Sequence, residues 1–98
     1  MEVDYKAIGQ RIKIARIKKG VTQETVADLI DITPAHMSNV ETGKTKVSLP
    51  TLIAIANALS VSVDTLLCDN VIASKNALAA RGATYPNYGL RMAKGILD

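Results

Sequence analysis

The chain has no Trp and no Phe, and its aromatic residues are Tyr5, Tyr85 and Tyr88 alone. A core made from this sequence must therefore be aliphatic, drawn from Ile, Leu, Val, Ala and Met. Cys68 is the single cysteine, which excludes an internal disulfide, and no Cys–His cluster offers a zinc site. One His, one Cys, no Gly-rich phosphate loop and no paired carboxylates with a cleft leave no catalytic constellation. The expectation is thus neither an enzyme nor a cofactor or metal protein. No apolar run approaches the roughly 18 residues of a membrane span. The opening MEVDYKAIGQ lacks the basic start and apolar centre of a signal peptide. These absences lead to an expected soluble, cytoplasmic protein of a reducing compartment, without a membrane partner.

What is present is ample aliphatic material: 48% of 98 residues are hydrophobic, enough for one domain and a short appendage. The net charge of +3 is modest but unevenly placed. Tyr5 to Gly20 holds six basic residues (Lys6, Arg11, Lys13, Arg16, Lys18, Lys19) and no acid. Such a run is either a solvated helix face or a patch facing phosphates.

One local pattern recurs five times: an apolar residue, a capping residue, three others, then a second apolar residue. The instances are Val3-Asp4…Ile8, Val21-Thr22…Val26, Ile32-Thr33…Met37, Val47-Ser48…Leu52 and Val61-Ser62…Leu66. Each Asp, Ser or Thr can accept from an orphan N–H of a first helical turn, and each apolar pair can close as a staple across it. Five helix starts follow.

Helix 1 is expected over Tyr5 to Lys19, with Ile8, Ile12 and Ala15 as its core stripe and Gly20 as its left-handed stop. Ile14 and Ile17 lie off that stripe. Helix 2, Gln23 to Ile30, turns Val26, Ala27 and Ile30 inward. Helix 3 takes Thr33 as cap and Pro34 as its first residue, where a missing N–H costs nothing, and ends at Gly43. Met37 and Val40 face inward, and the three residues Asp31 to Thr33 have the length of a helix-turn-helix corner. The unit spans residues 22–42, followed by an exposed basic loop with Lys44 and Lys46. Helix 4, Leu49 to Leu59, carries Leu52, Ile53, Ala56 and Leu59, and helix 5, Val63 to about Cys68, carries Leu66 and Leu67. Short connections make these an all-α domain over residues 5–68. The remaining tail, residues 69–98, offers a sixth helix over 71–81, capped by Asn70 and stopped by Gly82.

On helix 3, the inward Met37 and Val40 leave Ala35, His36, Ser38, Asn39 and Thr42 outward or to the side. As base-reading candidates, Asn39 can pair bidentately with adenine, Ala35 can touch a thymine methyl, and His36 can donate to guanine or to a phosphate. Ser38 completes that set. Thr33 and Thr42, at the two ends of the helix, are phosphate candidates, as is Arg11 in helix 1.

The stretch Gly20 to Gly43, continued by SLPTLIAIANALSVSVDTLL, resembles the helix-turn-helix domains of the phage lambda repressor and Cro type, often called the Xre family. The resemblance covers residues 7–68. Its motifs are IGQRIKIARIKKGVTQ, the apolar–Thr cap before helix 3, Val40-Glu41…Gly43, and the SL…L…IA.AL.VS.D.LL close. It implies a five-helix lambda-repressor-like fold that binds double-stranded operator DNA as a homodimer. It also implies phosphate contacts from Gln23, Lys44 and Lys46, and a largely buried ion pair between Arg16 and Glu41. Two positions depart from the family pattern. Asp31 stands where the turn usually holds Gly, and Asp tolerates the left-handed region. Pro34 and Ala35 stand where Gln or Arg often heads the recognition helix, which shifts base readout onto Asn39 and His36.

The function expected is a sequence-specific transcriptional regulator, a repressor, inserting residues 34–42 into the major groove of a two-fold operator. The alternative is an antitoxin or adaptor on the same fold, whose tail binds a protein partner. Val71, Ile72, Leu78, Leu90, Ile96 and Leu97, with Ile14 and Ile17, exceed what a five-helix core needs, so the tail is expected to dimerise or to bind that partner. Some 30 residues after the domain leave no room for a ligand-sensing module, so regulation is expected through concentration, a partner or proteolysis.

Overall fold

The computed structural model describes residues 2–70, which form five α-helices and a closing 3-10 turn. They are α1 (Tyr5–Lys19), α2 (Gln23–Leu29), α3 (Pro34–Thr42), α4 (Leu49–Leu59) and α5 (Val63–Leu67), with the 3-10 turn at Cys68–Asn70. No described helix is by itself long and apolar enough to cross a membrane. The sixth helix expected over residues 71–81, and the apolar tail residues, lie outside the described residues.

Each start is set by its cap. Asp4, Thr22, Thr33, Ser48 and Ser62 all have extended backbone, and each side-chain oxygen accepts an N–H three residues on, from Ala7, Thr25, His36, Thr51 and Thr65. At three of the five, a threonine hydroxyl at that third position also bonds the cap hydroxyl: Thr25 with Thr22 (2.9 Å), Thr51 with Ser48 (3.0 Å) and Thr65 with Ser62 (3.0 Å). Threonine thus stands where a capping box usually holds Glu or Gln. Each cap contributes on the order of 1 kcal/mol, a substantial share for helices as short as α2 and α5.

The stops use the left-handed region. Gly20 and Gly43 close α1 and α3 at φ of 76° and 77°, and Asp31, in the corner between α2 and α3, has φ of 62°. Ser60 ends α4 in the same region, at φ of 57°. The corner that usually needs Gly is therefore built with Asp.

The core is aliphatic: Ile8 and Ile12 from α1, Val26 and Ala27 from α2, Met37 and Val40 from α3, Leu66 from α5, and four residues of α4. In α4 the buried residues are Leu52, Ile55, Ala56 and Leu59, while Ile53 is 43% exposed. The assignment of Ile53 to the core is thus corrected to Ile55. Leu52, Ile55, Ala56 and Leu59 share one i, i+3, i+4, i+7 face, and Ile53 is rotated about 100° from Leu52. Helix 2 stops one residue short of the expected Ile30, which becomes its half-buried C-cap. Helix 5 stops at Leu67, and Cys68 opens the 3-10 turn.

That turn folds back on α1. Arg11 Nε and Nη2 donate to Asp69 Oδ2 and Oδ1 at 2.8 and 3.1 Å, and the Asp4 N–H donates to Asn70 Oδ1 at 2.7 Å. Asp69 and Asn70, assigned to the tail by sequence, are tied to α1 and its cap Asp4.

Candidate nucleic-acid interface

α3 packs against both α1 and α2. Met37, Val40 and Glu41 are buried, so the opposite side of the helix is open: Ala35, Asn39 and Thr42 are exposed, and His36 and Ser38 are half-buried on its flanks. Among the described residues no hydrogen bond engages the Asn39 side-chain amide, while its backbone oxygen accepts the N–H groups of Lys44 (2.9 Å) and Thr45 (3.2 Å) and the Thr42 hydroxyl (3.3 Å). An unengaged, exposed amide at mid-helix can present both a donor and an acceptor to a base edge.

The threonines at the two ends differ. Thr33 Oγ1 accepts the His36 N–H at 3.0 Å, which leaves its own proton available to an outside acceptor. Thr42 Oγ1 donates to the Ser38 carbonyl at 3.0 Å, so its proton is committed inside the helix. A phosphate contact from Thr42 would have to break that bond. Lys44 and Lys46 are both exposed, in the loop that follows the Gly43 stop.

The position of α3 is held by one buried acid. Glu41 is 4% exposed. It receives Arg16 Nε at 2.6 Å, Arg16 Nη2 at 3.2 Å and Gln23 Nε2 at 2.9 Å. Arg16 also donates from Nη1 to the Val21 carbonyl at 2.9 Å. A single carboxylate thereby joins α1, the start of α2 and the end of α3. Gln23, implied by the resemblance as a phosphate contact, is anchored through one of its two amide protons and keeps the other.

Close backbone approach does the rest. A Cβ on the buried Gly9 would come within 2.5 Å of the Val40 carbonyl oxygen and closer still to that of Glu41; one on Gly43 would lie 2.7 Å from Lys6 Cα. Only hydrogen side chains at these two positions let α1 lie directly on the C-terminal half of α3. Sequence reasoning passed over Gly9, although a glycine within a helical pattern, costing about 1 kcal/mol against Ala, signals such a contact.

Arg11 is placed elsewhere. It lies about 160° around α1 from Lys13, and it forms the ion pair with Asp69 on the α5 side. The pair raises the Arg11 pKa, chiefly through the hydrogen bond to Asp69, and the same bond holds the Asp69 carboxyl below its ordinary value. The phosphate candidate from helix 1 is therefore occupied and turned away from α3. Lys6, Gln10 and Lys13 instead line a shallow groove with Gln23, Glu41 and Thr42. Their i, i+4, i+7 spacing in the sequence is the signal that places them on one face.

Comparison with known proteins agrees with this geometry. The chain is 41% identical over 59 residues to YonR of Bacillus subtilis (strain 168), an uncharacterized HTH-type transcriptional regulator derived from the SPbeta prophage; the match covers 60% of this chain and 55% of YonR. It is 29% identical over 65 residues to the immunity repressor protein of Bacillus phage phi105, covering 66% of this chain and 45% of that protein. The chain thus spans about half the length of the curated relatives it matches. Among solved structures, the restriction-modification controller protein C.AhdI from Aeromonas hydrophila superimposes with a TM-score of 0.62 at 34% identity, covering 66% of this chain and 98% of that one. Residues 12–66 match the helix-turn-helix family model, and the chain belongs to the helix-turn-helix family of the Xre, or Cro/C1, type.

Proposed function

We propose that the protein is a transcriptional regulator that binds double-stranded DNA sequence-specifically, laying α3 in the major groove. The observation that carries this reading is the exposed face of α3. Ala35, Asn39 and Thr42 face outward, with the exposed Asn39 amide at their centre, and exposed Lys44 and Lys46 follow directly. Asn39, Ala35, Ser38 and His36 read base edges; Gln23, Thr33, Lys44 and Lys46 hold phosphates, which fix register without carrying sequence information. Two further features support the assignment: α3 is held rigidly by Glu41 and Gly9, and the relatives are named as transcriptional regulators and an immunity repressor. The likeness to the immunity repressor favours repression over activation. On this reading the protein acts in the cytoplasm as a homodimer on an operator whose half-sites lie about 34 Å apart. Exposed Ile14 (44%), Ile17 (58%), Leu49 (64%) and Ile53 (43%) supply apolar surface for self-association.

Selection of bound duplexes from a random pool tests the reading. Enrichment of a two-fold symmetric site is the expected result. Failure to enrich any sequence, with no duplex binding at low salt, would overturn it and leave the antitoxin or adaptor reading.

A further inference from the structure

Beside the exposed face of α3 lies a second strip of basic surface, on α1. Lys6, Gln10 and Lys13 are all exposed and line one groove with Gln23 and Thr42. Among the described residues both salt bridges, Arg11–Asp69 and Arg16–Glu41, lie elsewhere, and no hydrogen bond engages these three side chains. The acid in the groove wall, Glu41, is already bonded to Arg16 and Gln23, so it does not compete for the lysines. Asp4, at the far end, accepts the Ala7 N–H through Oδ1 as the cap of α1. The backbone of Lys6 rests against Gly43, which brings α1 alongside the loop bearing Lys44 and Lys46. The strip ends where Ile17 follows Lys13 one turn on.

We propose that Lys6 and Lys13, with Gln10 between them, form a second phosphate-binding track along α1. This rests on the DNA-binding reading and extends its footprint. Seven residues of helix separate the two lysines by about 10 Å, so their ammonium groups address different phosphates of one strand. A lysine on a flexible stem suits this role as a point charge without base preference, and the Gln10 amide donates from the same face. Continuity with the start of α2 and the open side of α3 fits a duplex rather than an acidic protein. Arg11, in the same helix but paired with Asp69, takes no part.

The test is the salt dependence of binding to a fluorescently labelled mixed-sequence duplex, over about 50 to 200 mM salt. The proteins compared are the unsubstituted chain, K6Q/K13Q, K44Q/K46Q, R11Q and K6R/K13R, each checked for an unchanged far-UV circular dichroism melt. Each lost phosphate contact lowers the log–log slope by about 0.9, so K6Q/K13Q should lose close to two units. R11Q and K6R/K13R should retain the full slope. A full slope in K6Q/K13Q together with a reduced slope in K44Q/K46Q would overturn this inference alone. Salt-independent or absent binding by the unsubstituted chain would overturn the DNA-binding reading and this inference with it.

Discussion

Replacing Glu41 by Ala removes the acceptor for three hydrogen bonds at once: two from Arg16 and one from Gln23. The Arg16 side chain, only 12% exposed, is left with the Val21 carbonyl as its remaining partner. Breaking one side of a buried pair leaves an uncompensated charge and costs about 3–5 kcal/mol. Set against a total of about 5–15 kcal/mol for a domain, that is a large fraction. At roughly 4–8 °C per kcal/mol for a small domain, the melting temperature should fall by about 12–40 °C. Urea and thermal unfolding, followed by far-UV circular dichroism, measure this directly. The double substitution Arg16→Met with Glu41→Leu removes both charges, and apolar replacement of a buried pair is often neutral or stabilising. It should recover most of the lost stability while leaving Gln23 without its anchor. DNA affinity should then stay low in a protein that is fully folded. A loss below about 1 kcal/mol in Glu41→Ala, the range of exposed pairs, would refute the reasoning. So would simple additivity of the two single substitutions.

Other outcomes follow from the same geometry. Gly20→Ala and Gly43→Ala both force a non-glycine residue to positive φ, a cost of about 1–2 kcal/mol. Gly20 has open space around it whereas Gly43 abuts Lys6, so denaturant midpoints should show the larger loss for Gly43→Ala. Asn39→Ala should cost about 1–3 kcal/mol on the preferred site and relax specificity at one base pair, with mixed-sequence binding unchanged, as read from competition titrations. The Asp69 carboxyl is held low by Arg11, so the pair's contribution is present above the ordinary Asp pKa and is lost as pH falls through the depressed folded value. A carbon-detected NMR titration should find Asp69 titrating below the ordinary aspartate value, and Arg11→Gln should raise it.

The helix starts were legible because capping is local chemistry: a hydroxyl or carboxylate reaches an N–H three residues away whatever the rest of the chain does. The same holds for the left-handed stops at Gly20 and Gly43 and for the Asp31 corner. The choice of Ile55 over Ile53 was harder to read. α4 offers apolar residues at nearly every position from Leu52 to Leu59, so its periodicity alone does not select a face. The pairing of Arg11 with Asp69 was not legible, because a run of basic residues does not reveal which side of a helix each occupies. Lys13 and Arg11, two residues apart, ended on nearly opposite sides.

From the sequence by itself came the order of the five described helices, the corner between α2 and α3, and the side chains available to α3. All of these depend on contacts within one or two turns. Only the tertiary structure decided that Glu41 joins Gln23 as well as Arg16, that Gly9 receives the backbone of α3, and that Asp69 pairs with Arg11 on the α5 side of α1. The Glu41–Gln23 contact closes over 18 residues and Arg11–Asp69 over 58. Neither local propensity nor spacing specifies such partners; they are chosen when burying the aliphatic faces sets the angles between helices.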